Sequence, residues 1–448
     1  MAAAVNQAVK QRALVFGIGQ TGEAVARQLL TRGWYVTAAD DRDDAATRQR
    51  IDALDVNLLL APDDDALRAA VAAADVVLPA PGVPAHHRVF AAARAAGVPL
   101  WSEFELVERW GHPPLVAVTG TNGKTTVCTM VTEMLAGAGK RVVAAGNNEL
   151  PLVDAVDQAL DVIVVEASSF RLELTETFRP VVGTWLNVSE DHLDWHGSLD
   201  AYAASKEKLW AHQRADDVAV ANADDPVVLA AARRAPSRVL TYSLEDRSAD
   251  AHLAGDDLVV HGEVVIARDA LRRAWPHDVS NALAAVLTAR AGGADVASCA
   301  DVLGRFAGLP HRVELIGDAG GVRFYDDSKA TTPASVVTAV SGFDSVVLIA
   351  GGRNKGLDLG VLASVSDRVR AVIAVGEAAG EVRAAFDGRR PVLTAGSMDE
   401  AVKLAVDAAR EGDAVLLSPG CSSFDWYRNY GERGDDFARA VRQQAATP

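Results

Sequence analysis

The sequence predicts an α/β chain of about three domains, each built on a mostly parallel sheet with helices on its faces. Three observations predict it. An apolar run, a Gly-rich turn and a helical stretch recur along the 448 residues, which is the pattern of strands alternating with helices. Two of the turns, Gly17-Ile18-Gly19-Gln20-Thr21-Gly22 and Gly120-Thr121-Asn122-Gly123-Lys124-Thr125, are glycine-rich in the manner of phosphate-binding loops, the second as a variant. Breaks at Gly111-His112-Pro113-Pro114 and Gly308-Leu309-Pro310 divide the chain, because proline blocks helix and ladder hydrogen bonds.

The first block opens with a strand over 13–16, the glycine turn, and a helix to about residue 31. A strand over 34–39 ends at Asp40, and one over 75–78 enters Pro79-Ala80-Pro81-Gly82. The second block opens with a strand over 115–118 and the second glycine turn. The helix that follows carries Val127, Met130, Val131, Met134 and Leu135 on one face, by their i, i+3, i+4, i+7, i+8 spacing. Further strands are expected over 162–165 and 181–186, and in the third block over 322–325, 345–349, 371–375 and 414–417. Ligands of open α/β sheets bind outside the carboxyl ends of such strands.

Composition removes several function classes. Hydrophobic residues make up 49% and charged residues 23%, the balance of a globular protein. No window approaches the roughly 18 uncharged apolar residues of a membrane span, so no membrane insertion is expected. The stretch Met1 to Arg12 lacks the long apolar core of a secretory signal. Cys128, Cys299 and Cys421 are far apart and odd in number, which fits a reducing cytoplasm better than a disulfide framework. The net charge of −16 shows no basic stripe, which argues against a nucleic-acid partner. Anionic substrates must then be held by local cations, backbone N–H groups and metal ions.

The residues with the most specific chemistry lie in the second block. Gly120, Thr121, Asn122 and Gly123 let backbone N–H groups approach phosphate oxygens, and the helix that begins after them adds its partial positive charge. Lys124 can reach the β- and γ-phosphates of ATP, and the hydroxyl of Thr125, followed by Thr126, can bind Mg²⁺. The usual loop has an earlier glycine where this chain has Val118, so the loop is a shortened variant. Glu166 ends the apolar run 161–165 and is placed to hold a nucleotide's metal; the alternative is a solvated loop carboxylate. His192, in Asn187-Val-Ser-Glu-Asp-His192, suits a metal or a substrate contact, or neither. Lys206, in the middle of a helical stretch, reads by itself as a solvated charge. The Gly17–Gly22 turn followed by Asp40 fits a dinucleotide, another pyrophosphate, or a plain tight turn. In the third block Arg312, Lys329, Lys355 and Ser423 are candidate anion contacts.

Taken together, the runs TGTNGKTT, NVSEDHLD, YAASKEK, PHRVE, DDSKAT and GGRNKG, in this order, resemble the Mur ligase family across essentially the whole chain. Within that family, the segments Glu166 to Glu173 and Ser418 to Asp425 are similar to the branch that adds D-glutamate. The resemblance implies a Rossmann-like N-terminal domain over 1–112 for the UDP end of the substrate. It implies a central P-loop ATPase-type domain over 113–308 and a Rossmann-like C-terminal domain over 309–448 that contacts ATP and the amino acid. Gly19, Thr21, Asp40, Arg42, Asn147 and His192 are then expected to bind the UDP-sugar. Asn281, Arg312 and Asp327 join the phosphate loop around ATP. Thr125, Glu166, His192 and Lys206 serve two Mg²⁺ ions, with Lys206 carbamylated. Lys329, Thr331, Lys355, Ser423 and Tyr430 position D-glutamate. Two departures from the family pattern stand out. Gly146-Asn147-Asn148-Glu149 has Glu149 in place of a glycine, and Tyr430 replaces a common phenylalanine.

The implied reaction makes an amide. ATP phosphorylates the carboxylate of UDP-N-acetylmuramoyl-L-alanine, the amine of D-glutamate attacks the acyl phosphate, and a tetrahedral intermediate releases phosphate. A monomer in the cytoplasm is expected. The competing readings are a ligase of the same type for another amino acid, such as L-glutamate, a folylpolyglutamate-synthetase-like ligase, an NAD-dependent dehydrogenase fused to an ATPase, and a non-catalytic nucleotide-binding protein.

Overall fold

The structure is a computed structural model that describes residues 11–52, 54–147 and 150–445; Glu149 therefore lies outside the described residues. The chain forms two compact units. One comprises residues 1–188, 195–268 and 280–304, the other 189–194, 269–279 and 305–448.

The first unit holds two sheets. The smaller contains β1 (Arg12–Phe16), β2 (Tyr35–Asp40), β3 (Asn57–Leu60) and β4 (Val76–Pro79), all parallel, in the order β3-β2-β1-β4. The larger contains β5 (Leu115–Thr119), β6 (Val142–Gly146), β7 (Val162–Glu166), β8 (Val182–Trp185), β9 (Val218–Asn222), β10 (Arg238–Ser243), β11 (Ala251–Ala254), β12 (Asp257–Val260) and β13 (Glu263–Ala267). Its order is β13-β12-β11-β10-β9-β8-β5-β7-β6. From β6 to β11 the pairing is parallel, and β11, β12 and β13 then pair antiparallel. The expected strands all form, with ends displaced by three residues at most. The antiparallel meander at the edge is an addition that the apolar runs alone do not announce.

Both sheets rest on one continuous apolar core. Val15, Leu29 and Leu78 from the smaller sheet's layer pack in the same buried cluster as Leu115, Ile163, Val165 and Trp185. The helix Glu103–Trp110 joins them; its Phe104 ring stacks on Phe178 with centroids 4.9 Å apart. At about 25 cal/mol per Å² of apolar surface removed from water, such a shared core binds the two sheets together more firmly than a surface contact does. The helix Lys124–Gly137 buries the predicted face of Val127, Met130, Val131, Met134 and Leu135.

The second unit contains β14 (Glu314–Ala319), β15 (Val322–Asp326), β16 (Val346–Gly351), β17 (Val369–Val375), β18 (Val392–Ala395) and β19 (Ala414–Gly420). The order is β14-β15-β19-β16-β17-β18, parallel except for the edge strand β14. Apolar clusters cover both faces of this sheet. All three cysteines are buried and free. No helix among the described residues is long and apolar enough to cross a membrane.

The first glycine turn is the tightest steric feature of the smaller sheet. A Cβ at Gly22 would lie 2.0 Å from the Gly17 carbonyl oxygen, so the helix Gln20–Thr31 can meet β1 only if residue 22 has no side chain. Gly22→Ala is expected to lower stability by about 1–3 kcal/mol, the usual range for overpacking, seen as a lower midpoint in thermal unfolding. An unchanged midpoint would mean that the turn relaxes freely.

Candidate active site

The turn after β1 opens onto a cleft of about 550 Å³ whose walls include Gly19, Thr21, Asp40, Arg42, Asn147 and Arg171. The four N-terminal residues and Asn147 named from the sequence for the UDP end thus meet in one place. Asp40 is occupied by the protein itself. Its Oδ2 accepts from the Ile18 N–H at 2.7 Å, and its two oxygens take the Arg42 guanidinium at 3.1 Å each. Burial alone raises the Asp40 pKa, but the hydrogen bonds from Arg42 and Ile18 and the Arg42 charge outweigh it and hold it below the usual value. Asp40 therefore fixes the turn and aims Arg42.

The phosphate loop follows β5. Val118 is the fourth residue of that strand, fully buried, and pairs with Glu166 on one side and Thr184 on the other. The loop lacks the earlier glycine because that position lies inside the sheet. Asn187, just past β8, holds the loop's shape. Its side-chain oxygen accepts from the N–H groups of Thr121 at 3.1 Å and Asn122 at 2.9 Å, and its amide nitrogen donates to the Asn122 carbonyl. Gly123 has φ +85°, and a Cβ there would lie 2.6 Å from Asn281 Oδ1. The Asn281 amide thus sits directly against the loop, and only glycine admits it.

Two ammonium groups converge on one carbonyl. Lys124 Nζ donates to the oxygens of Gly120 at 2.7 Å and Thr121 at 2.9 Å. Lys206 Nζ, 1% exposed, donates to the same Gly120 oxygen at 3.0 Å and lies 4.3 Å from the Tyr202 ring centroid. Lys206 is therefore no solvated helical charge but part of the loop's surroundings.

Glu166 ends β7 beside that loop. It is 3% exposed. Its Oε1 accepts from Asn147 Nδ2 at 3.0 Å, while its buried Oε2 has no protein partner. A buried carboxylate oxygen left open in this way, at a strand end beside the end of β5, is the hard-oxygen setting that suits Mg²⁺.

The second unit gathers its own candidates at three adjacent strand ends, after β15, β16 and β19. Asp327 is buried, accepts from Ser418 Oγ at 2.7 Å, and receives the Arg312 charge. Burial dominates and pushes its pKa up to about 7, with the Ser418 hydrogen bond and Arg312 opposing. Lys329 Nζ lies 3.8 Å from the centroid of the Tyr430 ring, a cation–π geometry. Thr331 stands just before the helix Pro333–Val340, and the buried Ser423 follows β19. Lys355 pairs with Asp191 at 3.1 Å, and the neighbouring His192, at φ +55°, pairs with the same carboxylate at 3.3 Å. His192 belongs to this second unit, so the described geometry of the first unit does not include it.

Comparison with known proteins decides the family. Three family models match: the Mur ligase MurD-like N-terminal domain over residues 11–102, the Mur ligase middle domain over 118–289, and the Mur ligase glutamate ligase domain over 311–421. The chain belongs to the Mur ligase family. A relative from Desulfosudis oleivorans, named UDP-N-acetylmuramoylalanine–D-glutamate ligase, is 41% identical over 446 residues, covering 97% of this chain and 96% of the relative. Among solved structures, a pseudomurein peptide ligase type C from Methanothermus fervidus superposes with a TM-score of 0.62 at 19% identity, covering 97% of this chain and all of that one. A MurF ligase from Thermotoga maritima in complex with ADP gives a TM-score of 0.58 at 16% identity, with 98% and 96% of the two chains covered. These two structures share the Mur ligase fold with this chain.

Two residues of this Mur ligase site escaped sequence reasoning. Asn187 was visible only as part of a motif, yet it builds the phosphate loop. Arg171 lines the UDP-side cleft and reaches Thr21 and Asn147. Its contact with Thr21 spans 150 residues of sequence, and no local pattern signals it.

The raised pKa of Asp327 has a stability consequence. Its folded pKa of about 7 exceeds the ordinary 3.8, so the unfolded chain loses this proton first and stability falls as pH rises between those values. Asp327→Asn removes that penalty. The variant is expected to gain thermal stability relative to the parent at pH 8 and to lose the advantage at pH 4.5, as read by unfolding midpoints at both pH values.

Proposed function

We propose that this chain joins D-glutamate to UDP-N-acetylmuramoyl-L-alanine at the expense of ATP, a step of peptidoglycan precursor synthesis. The observation that carries the reading is the near full-length likeness, at 41% identity, to a relative named for that reaction. The clustering of a diphosphate-type cleft and a phosphate loop in one unit supports it. The domains divide at about residues 112 and 308. The protein acts as a cytoplasmic monomer, with neither nucleic acid nor membrane as partner.

In this reading, Gly19, Thr21, Arg42 and Asn147 bind the UDP-sugar, with Asp40 setting the turn and His192 reaching the sugar side. Gly120, Thr121, Asn122, Gly123, Thr125 and Thr126 cradle ATP, with Asn281, Arg312 and Asp327 around the nucleotide. Lys124, which now donates to the loop's own carbonyls, turns to the β- and γ-phosphate oxygens when ATP supplies better acceptors. Thr125 and Glu166 hold one Mg²⁺; His192 and a carbamylated Lys206 serve a second. Bound Mg²⁺ supplies positive charge to the phosphate oxygens as charge moves during transfer. Carbamylation forms a bond between Lys206 Nζ and the CO₂ carbon and releases two protons, one as the ammonium becomes the free amine and one as the carbamate forms, turning a cation into an anion beside the Gly120 carbonyl.

The chemistry has two steps. A carboxylate oxygen of the alanyl group attacks the γ-phosphorus, and the bond to ADP breaks. The resulting acyl phosphate is an electrophile that the carboxylate was not. The D-glutamate amine, held by Lys329, Thr331, Lys355, Ser423 and Tyr430, attacks its carbonyl carbon. The tetrahedral adduct expels phosphate, and the amine's proton passes to a base. Two unit charges 4 Å apart interact by about 4 kcal/mol at an effective dielectric of 20. Bringing a carboxylate to a polyphosphate multiplies that repulsion, and Lys124 is placed to offset it.

Phosphate release with UDP-N-acetylmuramoyl-L-alanine and ATP is expected to require glutamate and to favour the D enantiomer; equal or greater turnover with L-glutamate would sink the assignment of substrate. In the same assay, Lys124→Ala is expected to lose about 10²-fold or more in kcat, the scale of losing one electrostatic stabiliser. Near-normal turnover would take Lys124 out of the mechanism.

A further inference from the structure

One buried side chain connects the UDP-side turn to the carboxylate beside the phosphate loop. Arg171 is 5% exposed and lies on the short helix Ser169–Glu173, just after β7 and Glu166. Its Nε donates to Glu103 Oε1 at 2.7 Å. Its Nη1 donates to Asn147 Oδ1 at 2.9 Å and Ser168 Oγ at 3.3 Å. Its Nη2 donates to Thr21 Oγ1 at 3.2 Å.

The direction of these bonds matters. A guanidinium can only donate, so it must face the oxygen of the Asn147 amide. That forces the amide nitrogen the other way, and there it donates to Glu166 Oε1 at 3.0 Å. With Arg171 gone, the Asn147 oxygen loses this donor, and the Arg171 side of the amide is no longer fixed. As it stands, one Glu166 oxygen is fixed by Asn147, and the other, Oε2, is buried and open. The fork is itself anchored by the ion pair to Glu103, whose side chain is fully buried.

We infer that Arg171 is a positioning residue: it orients the Asn147 amide, and through it the Glu166 carboxylate toward a divalent cation, while its Thr21 contact ties that carboxylate to the UDP-side turn. The inference rests on the reading of Glu166 as a metal ligand. A partner hydrogen-bonded directly to a metal ligand typically carries 10–100-fold in metal affinity; Asn147 is that partner of Glu166, and Arg171 acts through it, at the lower end of that range. Lysine cannot replace the fork, because it lacks donors in a fixed plane.

The test measures Mn²⁺ binding to the full chain by electron paramagnetic resonance, with β,γ-imido-ATP present, alongside steady-state kinetics. Arg171→Gln and Arg171→Lys are compared with Glu103→Gln/Arg171→Gln. The double variant removes both charges of the buried pair, so no uncompensated carboxylate threatens folding, and circular dichroism checks each protein. All three Arg171 variants are expected to bind Mn²⁺ about 10-fold or more weakly, with kcat reduced as well. Wild-type Mn²⁺ affinity in a folded variant overturns the inference, and so does an effect confined to the UDP-substrate KM, which would make Arg171 a direct substrate contact. Glu166→Gln separates the two levels. If it binds Mn²⁺ like the parent, the reading of Glu166 fails; if it loses Mn²⁺ while the Arg171 variants keep it, only the positioning role fails.

Discussion

The pairing of β5 between β7 and β8 is the constraint on which the site depends. Val118 lies opposite both Glu166 and Thr184, and Gly146 lies opposite Glu166 on the far side of β7. All four strands run parallel, so the phosphate loop, Glu166, Asn147 and Asn187 emerge at the same edge. A slip of one residue would reverse which side chains face which layer. The register is also secured at its end, where Thr119 Oγ1 donates to the Ala167 carbonyl at 2.8 Å. Because β5 and β7 are buried along their whole length, their apolar residues supply packing on both faces, and the chemistry is left to the residues just beyond them.

Electrostatics then works locally. The chain carries −16 overall, yet the loop offers oriented N–H groups and two ammonium groups within 3.0 Å of the Gly120 oxygen. Exposed charges farther away than the Debye length of about 8 Å at physiological salt contribute little. Partly buried ones are screened far less. The sign of the whole surface therefore does not decide whether this loop takes an anion.

Much of this was legible in the sequence, and the reason is distance along the chain. The phosphate loop, the turn after β1 and the apolar strands are local patterns, and they form where the residues predict. Glu166 was legible because a strand end is a short-range feature. Asn187, Arg171 and Glu103 were not, since their work consists of contacts 65, 150 and 68 residues away. Asp40 was half legible: its place was predicted, but its carboxylate serves Ile18 and Arg42. Lys206 shows the same limit from the other side. Its surroundings, and nothing in the helix that carries it, separate it from an ordinary surface lysine.

The two units solve the same problem with the same side chain. In each, loops from separate strand ends must be held at fixed spacing although they present mostly carbonyls and hydroxyls to one another. A buried arginine suits that need, having five donors in one plane and no acceptor to satisfy. Arg171 does this in the first unit. In the second, Arg433 is 2% exposed and joins the loop after β15 to the loop after β19. It donates to Ser328 Oγ at 2.9 Å, to the Ser328 carbonyl at 2.8 Å and to the Cys421 carbonyl at 3.2 Å. Burial pushes its pKa down to about 10, with Asp425 and other nearby groups opposing, so it stays charged at neutral pH. Ser328 in turn donates to the Tyr430 carbonyl at 2.7 Å, next to the ring that meets Lys329. Each arginine spends its desolvation on geometry: one ties Asn147, just past β6, to Thr21 in the turn after β1, and the other ties Ser328, just past β15, to Cys421, just past β19.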